Sequence, residues 1–208
     1  DDIRGGLCIA VANALSLILV AQYIFDDPEL AFEVCRAVQR GVDVYLAVED
    51  RYVQHPPGQN MVNAWQQFRF ARDHPDEHAG RFRVRTVKLG GLSQMHTKLW
   101  IVDGCILLTG SCNATRNGFE NNHEHSLWCA EAVAVCEATT SFERIWTDRH
   151  ATDLAWERVD GMEAALESSR SSRRSSRSAS RSASRAAAAM RDAAASPRDA
   201  FAVVTLSR

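Results

Sequence analysis

A histidine and a lysine two residues apart, His96 and Lys98, are the residues of this chain best placed for joint chemistry. On an extended strand the side chains at i and i+2 project from one face, so we expect the imidazole and the ammonium group to lie together. A neutral imidazole can attack phosphorus to form a phosphohistidine, and a nearby cation stabilises charge on phosphoryl oxygens. The pair therefore supplies two of the groups that cleavage of a phosphodiester requires, a nucleophile and a positive charge.

Further polar residues follow on the next two predicted strands. Gly110, Ser111 and Asn113 form a small polar segment suited to enclosing an anion, with the Asn113 amide as a charge-stabilising donor. Glu124 is predicted to open the third strand. From there it could hydrogen-bond one ring nitrogen of His96, which would fix the ring and leave the other nitrogen free as the nucleophile.

The spacing of these residues resembles the H-x-K-x4-D-x6-G-S-x-N signature of the phospholipase D superfamily, with every position from His96 to Asn113 matched. The position of Glu124 and the N-terminal strand, helix and strand are similar to the single-motif members of that superfamily. These members are the group of a small bacterial endonuclease and the mitochondrial cardiolipin hydrolases. The likeness covers roughly residues 7–149.

The resemblance implies a role for each residue of the motif. It makes His96 the nucleophile, Lys98 and Asn113 phosphate ligands, Ser111 a supporting donor and Glu124 the residue that orients His96. Asp103 belongs to the motif as a further candidate catalytic residue, although a structural role or a plain position in a turn explains it equally well. Family members need two motifs and this chain holds one, so the resemblance implies a homodimer with one shared active site. It implies no metal and no other cofactor.

The elements that would position these residues belong to the α/β class. A strand, a helix and a strand of this length form a parallel crossover unit. We expect a mixed, mostly parallel sheet with helices on both faces, as in the phospholipase D-like fold. The expected elements are a helix to about residue 15, a strand at 16–25, a helix at 28–41, a strand at 42–50, a helix at 59–72, a strand at 81–87, three strands within 94–130 and a helix at 131–149.

Length and composition predict one catalytic domain over residues 1–150. A chain of 208 residues with 46% hydrophobic content can build one sizeable core. Residues 151–208 are predicted to be a linker and a low-complexity tail, mostly disordered from 161, because ten serines between 168 and 184 alternate with arginines. The Arg-Ser pattern is typical of a solvated tail, with a phosphorylatable contact for nucleic acid or protein as the alternative.

Several bulk properties bear on partners and location. The first 150 residues carry 14 Lys and Arg against 19 Asp and Glu, which argues against a broad basic face for nucleic acid. Six cysteines without a C-x-x-C pair are typical of reduced, buried thiols in an intracellular protein. His74 and His78 lie four residues apart without a third ligand nearby, which favours a solvated loop over a metal site.

The apolar run at residues 7–25 is long enough to span a bilayer, but polar residues at positions 13, 16 and 22 interrupt it. A helix followed by a buried strand explains the run better. We therefore predict no transmembrane segment in this chain, while the family resemblance leaves mitochondrial association as an expectation.

Three functions remain. The chain could hydrolyse a phospholipid such as cardiolipin or phosphatidylcholine, cut single-stranded nucleic acid without a metal, or bind phosphates without catalysis. The intact motif disfavours the third, and the motif alone does not separate the first two because it contacts only the phosphodiester. The apolar residues Leu92, Met95 and Trp100 beside the motif favour a phospholipid substrate.

Overall fold

A seven-stranded sheet in the order β6-β5-β4-β1-β2-β3-β7 forms the centre of the protein in a computed structural model that describes residues 2–54 and 58–172. The strands are β1 (Leu17–Gln22), β2 (Asp43–Glu49), β3 (Phe82–Val87), β4 (Lys98–Val102), β5 (Ile106–Gly110), β6 (Ser126–Cys129) and β7 (Ala151–Asp153). The helices are α1 (Ile3–Ala12), α2 (Pro28–Gln39), α3 (Asp50–Gln54), α4 (Gln59–Asp73), α5 (Arg116–Glu120) and α6 (Ala132–Trp146).

The sheet is mixed, which confirms the predicted α/β class. β1 pairs with β2 and β2 pairs with β3 in parallel. The other four neighbouring pairs are antiparallel, so the expected predominance of parallel pairs is wrong. The reason lies partly in the connections, because the short turn at Asp103-Gly104 joins β4 to β5 and a turn of this length permits only an antiparallel pair. The positive φ angles of these two residues, 52° and 64°, fit the predicted hairpin turn.

Helices cover both faces of the sheet, as expected. On one face α1, α2 and α4 enclose the larger core, which includes Phe25, Trp65 and Trp100. On the other face α6 packs against β1, β4 and β5. Phe142 of α6 and Leu99 of β4 belong to the smaller core that forms there. The helix α2 begins where the sequence predicts, because the Asp27 side chain accepts a hydrogen bond from the Leu30 nitrogen at 2.8 Å.

The chain beyond residue 150 differs from the predicted linker. β7 pairs with β3, and Leu154, Val159 and Met162 are buried in the larger core. The compact unit accordingly extends to Leu166. Residues 157–172 are helical, so the disorder expected from residue 161 is wrong for 161–172, while residues 173–208 lie outside the described part of the chain.

The apolar run at 7–25 divides into the end of α1 and the strand β1, as predicted. Within the described ranges, no helix combines the length and the hydropathy needed to cross a bilayer.

All six cysteines are unpaired, but Cys105 and Cys136 are exposed, so the expected burial of the thiols holds only for part of the set. His74 stacks on Phe70 with ring centroids 4.5 Å apart.

Candidate active site

The predicted pair of His96 and Lys98 lies at the edge of the sheet where β1 and β2 end. The strand β4 begins at Lys98, so His96 precedes the strand instead of lying within it. The Tyr23 nitrogen nevertheless donates to the Thr97 oxygen at 3.0 Å, which continues the pairing with the segment after β1. The two side chains project together, and Lys98 Nζ lies 3.0 Å from Nδ1 and 3.1 Å from Nε2 of His96.

The two partners differ in exposure. His96 is exposed, whereas Lys98 is only 6% exposed. Burial lowers the pKa of the Lys98 ammonium below its ordinary value, and the negative charge of Glu124 opposes that shift. The ring of Tyr23 lies against both side chains, 4.3 Å from the His96 centroid and 4.9 Å from Lys98 Nζ. This contact supplies a cation–π interaction for a lysine with little access to water.

Gly110 and Ser111 join the end of β5 to the segment before β6. A Cβ atom at Gly110 would lie 2.2 Å from the backbone oxygen of His125, so only glycine permits this close approach. Ser111 Oγ donates to the Glu124 carboxylate and accepts from the His125 nitrogen at 3.1 Å. The close approach of the His125 oxygen thus requires glycine at position 110, and the bonds to Glu124 and His125 use the hydroxyl group of Ser111.

Glu124 lies two residues before β6 and does not open that strand as predicted. Its carboxylate accepts hydrogen bonds from Ser111 and from Asn122 Nδ2, the latter at 3.1 Å. Over the described part of this chain it makes no hydrogen bond to His96, so the predicted orienting contact is not found. The bonds to Ser111 and Asn122 hold the carboxylate elsewhere, and its charge acts on Lys98.

Asn113 is held near the pair through Gln22, whose Cα is opposite that of Lys98 in the sheet. The buried Gln22 side chain accepts from the nitrogen of Ala114 at 3.2 Å. The Asn113 amide oxygen is buried without a hydrogen-bond partner. An unpaired buried polar atom costs about 1–3 kcal/mol, and a half-turn of the amide would present its NH₂ group instead. Such an amide is suited to a phosphoryl oxygen.

Asp103 lies at the other end of β4, so the structure does not bring it together with His96 and Lys98. Its carboxylate accepts from the nitrogens of Leu15, Ser16 and Leu17 at 2.9, 2.8 and 3.0 Å and from the Ser16 hydroxyl at 3.0 Å. Burial raises the pKa of this carboxyl, but the four hydrogen bonds outweigh that effect and leave the pKa below its usual value. These contacts favour the structural role over the catalytic one.

Sequence reasoning missed a group of residues at the ends of β1 and β2. Tyr23 contacts the His96 ring, Glu49 and Arg51 contact the segment that precedes His96, and Tyr52 contacts Tyr23. Parallel strands end at one edge of a sheet, and polar residues just past two such strands gather there. The predicted crossover unit could therefore have identified them, because they are polar residues at or just past the ends of its two parallel strands.

The apolar residues beside the motif differ in their surroundings. Met95 and Trp100 are buried at 5% and 2% exposure, so they belong to the core and cannot face a lipid. Leu92 is 97% exposed and lies four residues before His96. Among the described residues, no group of three His, Cys, Asp or Glu side chains could hold a metal ion.

Comparison with protein families gives a match over residues 7–146 to the model described as cardiolipin synthase, PLD-like domain. The mitochondrial cardiolipin hydrolase of Xenopus laevis is 28% identical over 148 residues, which are 71% of this chain and 63% of that protein. The enzyme of the same name from Mus musculus is 30% identical over 142 residues, 67% of this chain and 55% of its own length. The chain thus spans little more than half the length of these relatives.

Solved structures show the same fold. Nuc from Salmonella typhimurium, described as a phospholipase D family member, matches with a TM-score of 0.60 and 21% identity over 73% of this chain and 90% of its own. NucT from Helicobacter pylori matches with a TM-score of 0.57 and 18% identity, covering 72% of this chain and 89% of that one.

Proposed function

The chain belongs to the phospholipase D superfamily, and from this premise we propose that it is a hydrolase that cleaves a phospholipid phosphodiester through a phosphohistidine at His96. The observation that carries the proposal is the contact between the His96 ring and the Lys98 ammonium. An exposed imidazole offers the nucleophile, and the buried cation beside it offers charge for the phosphoryl oxygens.

The resting contact suggests how the site would receive a substrate. A lysine ammonium donates hydrogen bonds, and an unprotonated ring nitrogen can accept one. An entering phosphate would take over the ammonium and leave the nitrogen lone pair of His96 facing phosphorus. Attack forms the N–P bond and releases the alcohol, and water then cleaves the N–P bond to return free His96.

Lys98 and Asn113 are the proposed phosphate ligands, with Ser111 in support. Lys98 carries the charge, and the Asn113 amide, turned so that its NH₂ group replaces the unpaired oxygen, would donate to a bound phosphate. Ser111 is engaged by Glu124, so in this protomer its support acts through the loop that also carries Asn113. Lys98 comes from β4 and Asn113 from the loop after β5, so the two ligands would hold a phosphate from two segments.

One protomer holds one copy of the motif, and a two-step mechanism needs an acid for the leaving alcohol as well as a nucleophile. We propose a homodimer in which two copies of His96 meet at a two-fold axis, one as nucleophile and one as acid. The exposure of His96 at the sheet edge is compatible with such a meeting.

A phospholipid substrate is supported by the names of the related cardiolipin hydrolases and by the exposed Leu92, four residues before His96. The same names support mitochondrial association as part of the proposal. The alternative is metal-independent cleavage of single-stranded nucleic acid, which the acidic balance of the first 150 residues disfavours.

A side-by-side assay tests the proposal. Purified protein without added metal is incubated with cardiolipin vesicles, phosphatidylcholine vesicles, and single-stranded DNA and RNA. We expect release of phosphatidic acid or phosphatidylglycerol from a lipid substrate. Cleavage of only the nucleic acids would establish the nuclease alternative, and activity on none would leave a phosphate-binding module.

A further inference from the structure

Glu49, the last residue of β2, has a completely buried side chain. Its Oε2 accepts a hydrogen bond from the backbone nitrogen of Met95 at 2.7 Å. Met95 immediately precedes His96, so this bond fixes the backbone from which the histidine ring projects. A buried carboxylate is costly to keep, which makes a position of this kind unusual without a specific partner.

Arg51 holds the same segment from a second direction. Its Nε lies 3.5 Å from Glu49 Oε1, and its Nη2 donates to the backbone oxygens of Gly91 and Ser93 at 3.0 and 2.8 Å. The guanidinium thus balances the buried charge and fastens the chain ahead of Met95. Together the two side chains attach residues 91–95 to the end of β2.

Tyr23 and Tyr52 complete the support. The Tyr23 hydroxyl donates to Gln94 Oε1 at 2.6 Å and lies 2.9 Å from the Tyr52 hydroxyl, while the Tyr23 ring contacts His96. Three consecutive residues, Gln94 to His96, therefore each contact side chains from the ends of β1 and β2.

We infer that Glu49 is a positioning residue for the reaction of His96, acting through its bond to the Met95 nitrogen with Arg51 in support. The inference rests on the proposed function. His96 lies ahead of β4 and, among the described residues, has no carboxylate hydrogen-bond partner, so the backbone at Met95 contributes to the placement of its ring. A displacement of about 1 Å at a reacting group can cost on the order of 100-fold in rate.

The experiment compares Glu49→Ala and Glu49→Gln with a matched control, Asp50→Ala. Asp50 is also a buried carboxylate paired with an arginine, Arg158 Nη1 at 2.7 Å, and this pair joins the chain after β2 to Arg158 instead of to Met95. We expect Glu49→Ala to lower kcat about 10- to 100-fold with KM changed less than about twofold. Glu49→Gln keeps an acceptor for Met95 and should recover most of kcat, and Asp50→Ala should stay within about threefold of wild type.

NMR provides a readout that does not need activity. In Glu49→Ala the Met95 amide should exchange faster with solvent and the His96 ring signals should shift, whereas Asp50→Ala should leave both unchanged. If wild type cleaves no phosphodiester, the proposed function fails and these NMR signals still decide the positioning role. If Glu49→Ala does not fold, Arg51→Gln takes its place with the same expected direction. Equal kcat losses in the Glu49 variant and its control, or an unchanged Met95 amide, would overturn the inference.

Discussion

The ammonium nitrogen of Lys98 lies almost equally far from both ring nitrogens of His96, at 3.0 and 3.1 Å. The lysine is buried and the histidine is exposed, so the surrounding fold fixes the ammonium group while the imidazole ring is accessible to a bound substrate. This division of roles suits a fixed charge that receives a phosphate and a nucleophile that reacts with it.

Replacement of His96 by Asn should remove turnover. The change deletes the nucleophile, and loss of such a group lowers kcat by about 10⁴-fold or more. The ring is exposed, so thermal unfolding followed by circular dichroism should give a Tm close to that of wild type. His123→Asn, which alters another exposed histidine before β6, is the matched control and should remain active. Near-normal turnover in His96→Asn would remove His96 from the chemistry.

Activity should fall at alkaline pH because Lys98 loses its charge. Burial lowers the Lys98 pKa, so the side chain becomes neutral at a lower pH than an ordinary lysine, and kcat/KM should decline as pH rises through that lowered value. Arginine stays charged across this range, so Lys98→Arg should lose the alkaline decline even where its overall rate is lower. An unchanged decline in pH–rate profiles of Lys98→Arg would assign it to another group.

The same shift affects stability with a defined sign. Between the folded and unfolded pKa values of Lys98 the unfolded chain binds more protons, so this residue makes the free energy of unfolding rise with pH in that window. Urea titrations of wild type and Lys98→Met at several alkaline pH values measure the difference. The opposite slope of the free energy of unfolding against pH would mean that folding raises the pKa of Lys98.

Gly110→Ala should damage both fold and site. The added methyl group would meet the His125 backbone oxygen, and separating β5 from β6 would displace Ser111 and Glu124. We expect a loss of about 1–3 kcal/mol in the free energy of unfolding and a fall in kcat. Gly58→Ala is the control, because a Cβ atom there has open space around it. Equal stability of the two variants would show that the strands can move apart without cost.

Asp103→Asn should lower the free energy of unfolding. Asparagine tolerates the positive φ of this turn, but it lacks the charge that receives four hydrogen bonds from residues 15–17. We expect a loss of about 1.5–3 kcal/mol, measured by urea unfolding at neutral pH. Because the folded pKa of Asp103 is lowered, its contribution is present above the unfolded pKa and disappears as pH falls through the folded pKa, so the two proteins should converge in acid. Loss of turnover at full stability would place Asp103 in the chemistry instead.

The proposed homodimer with one shared active site makes the mass and the mixing behaviour of the protein predictable. Light scattering after size exclusion should give the mass of two chains. When wild type is mixed with an excess of His96→Asn and allowed to exchange subunits, activity should fall well below the value set by dilution, since each mixed dimer lacks one histidine. A monomer with full activity, or loss in proportion to dilution alone, would contradict the dimer.

The sequence alone predicts the joint placement of His96 and Lys98 because the two-residue period of an extended chain is a local property. It also predicts the Asp103-Gly104 turn for the same reason. The balance of parallel and antiparallel pairs is not local, and neither is the partner of Glu124, which depends on how the loop after β5 returns to β6. The support from Glu49 was not anticipated because its contact with Met95 joins residues 46 positions apart.

The three residues of β7 have a practical consequence for anyone who prepares this protein. The family match ends at residue 146, and a truncation there would leave the hydrogen-bonding groups of β3 open along one side. The unpaired N–H and C=O groups of an uncovered strand edge can pair with strands of other chains, so such a shortened protein should aggregate. Expression boundaries are better set beyond Leu166, where the compact unit ends.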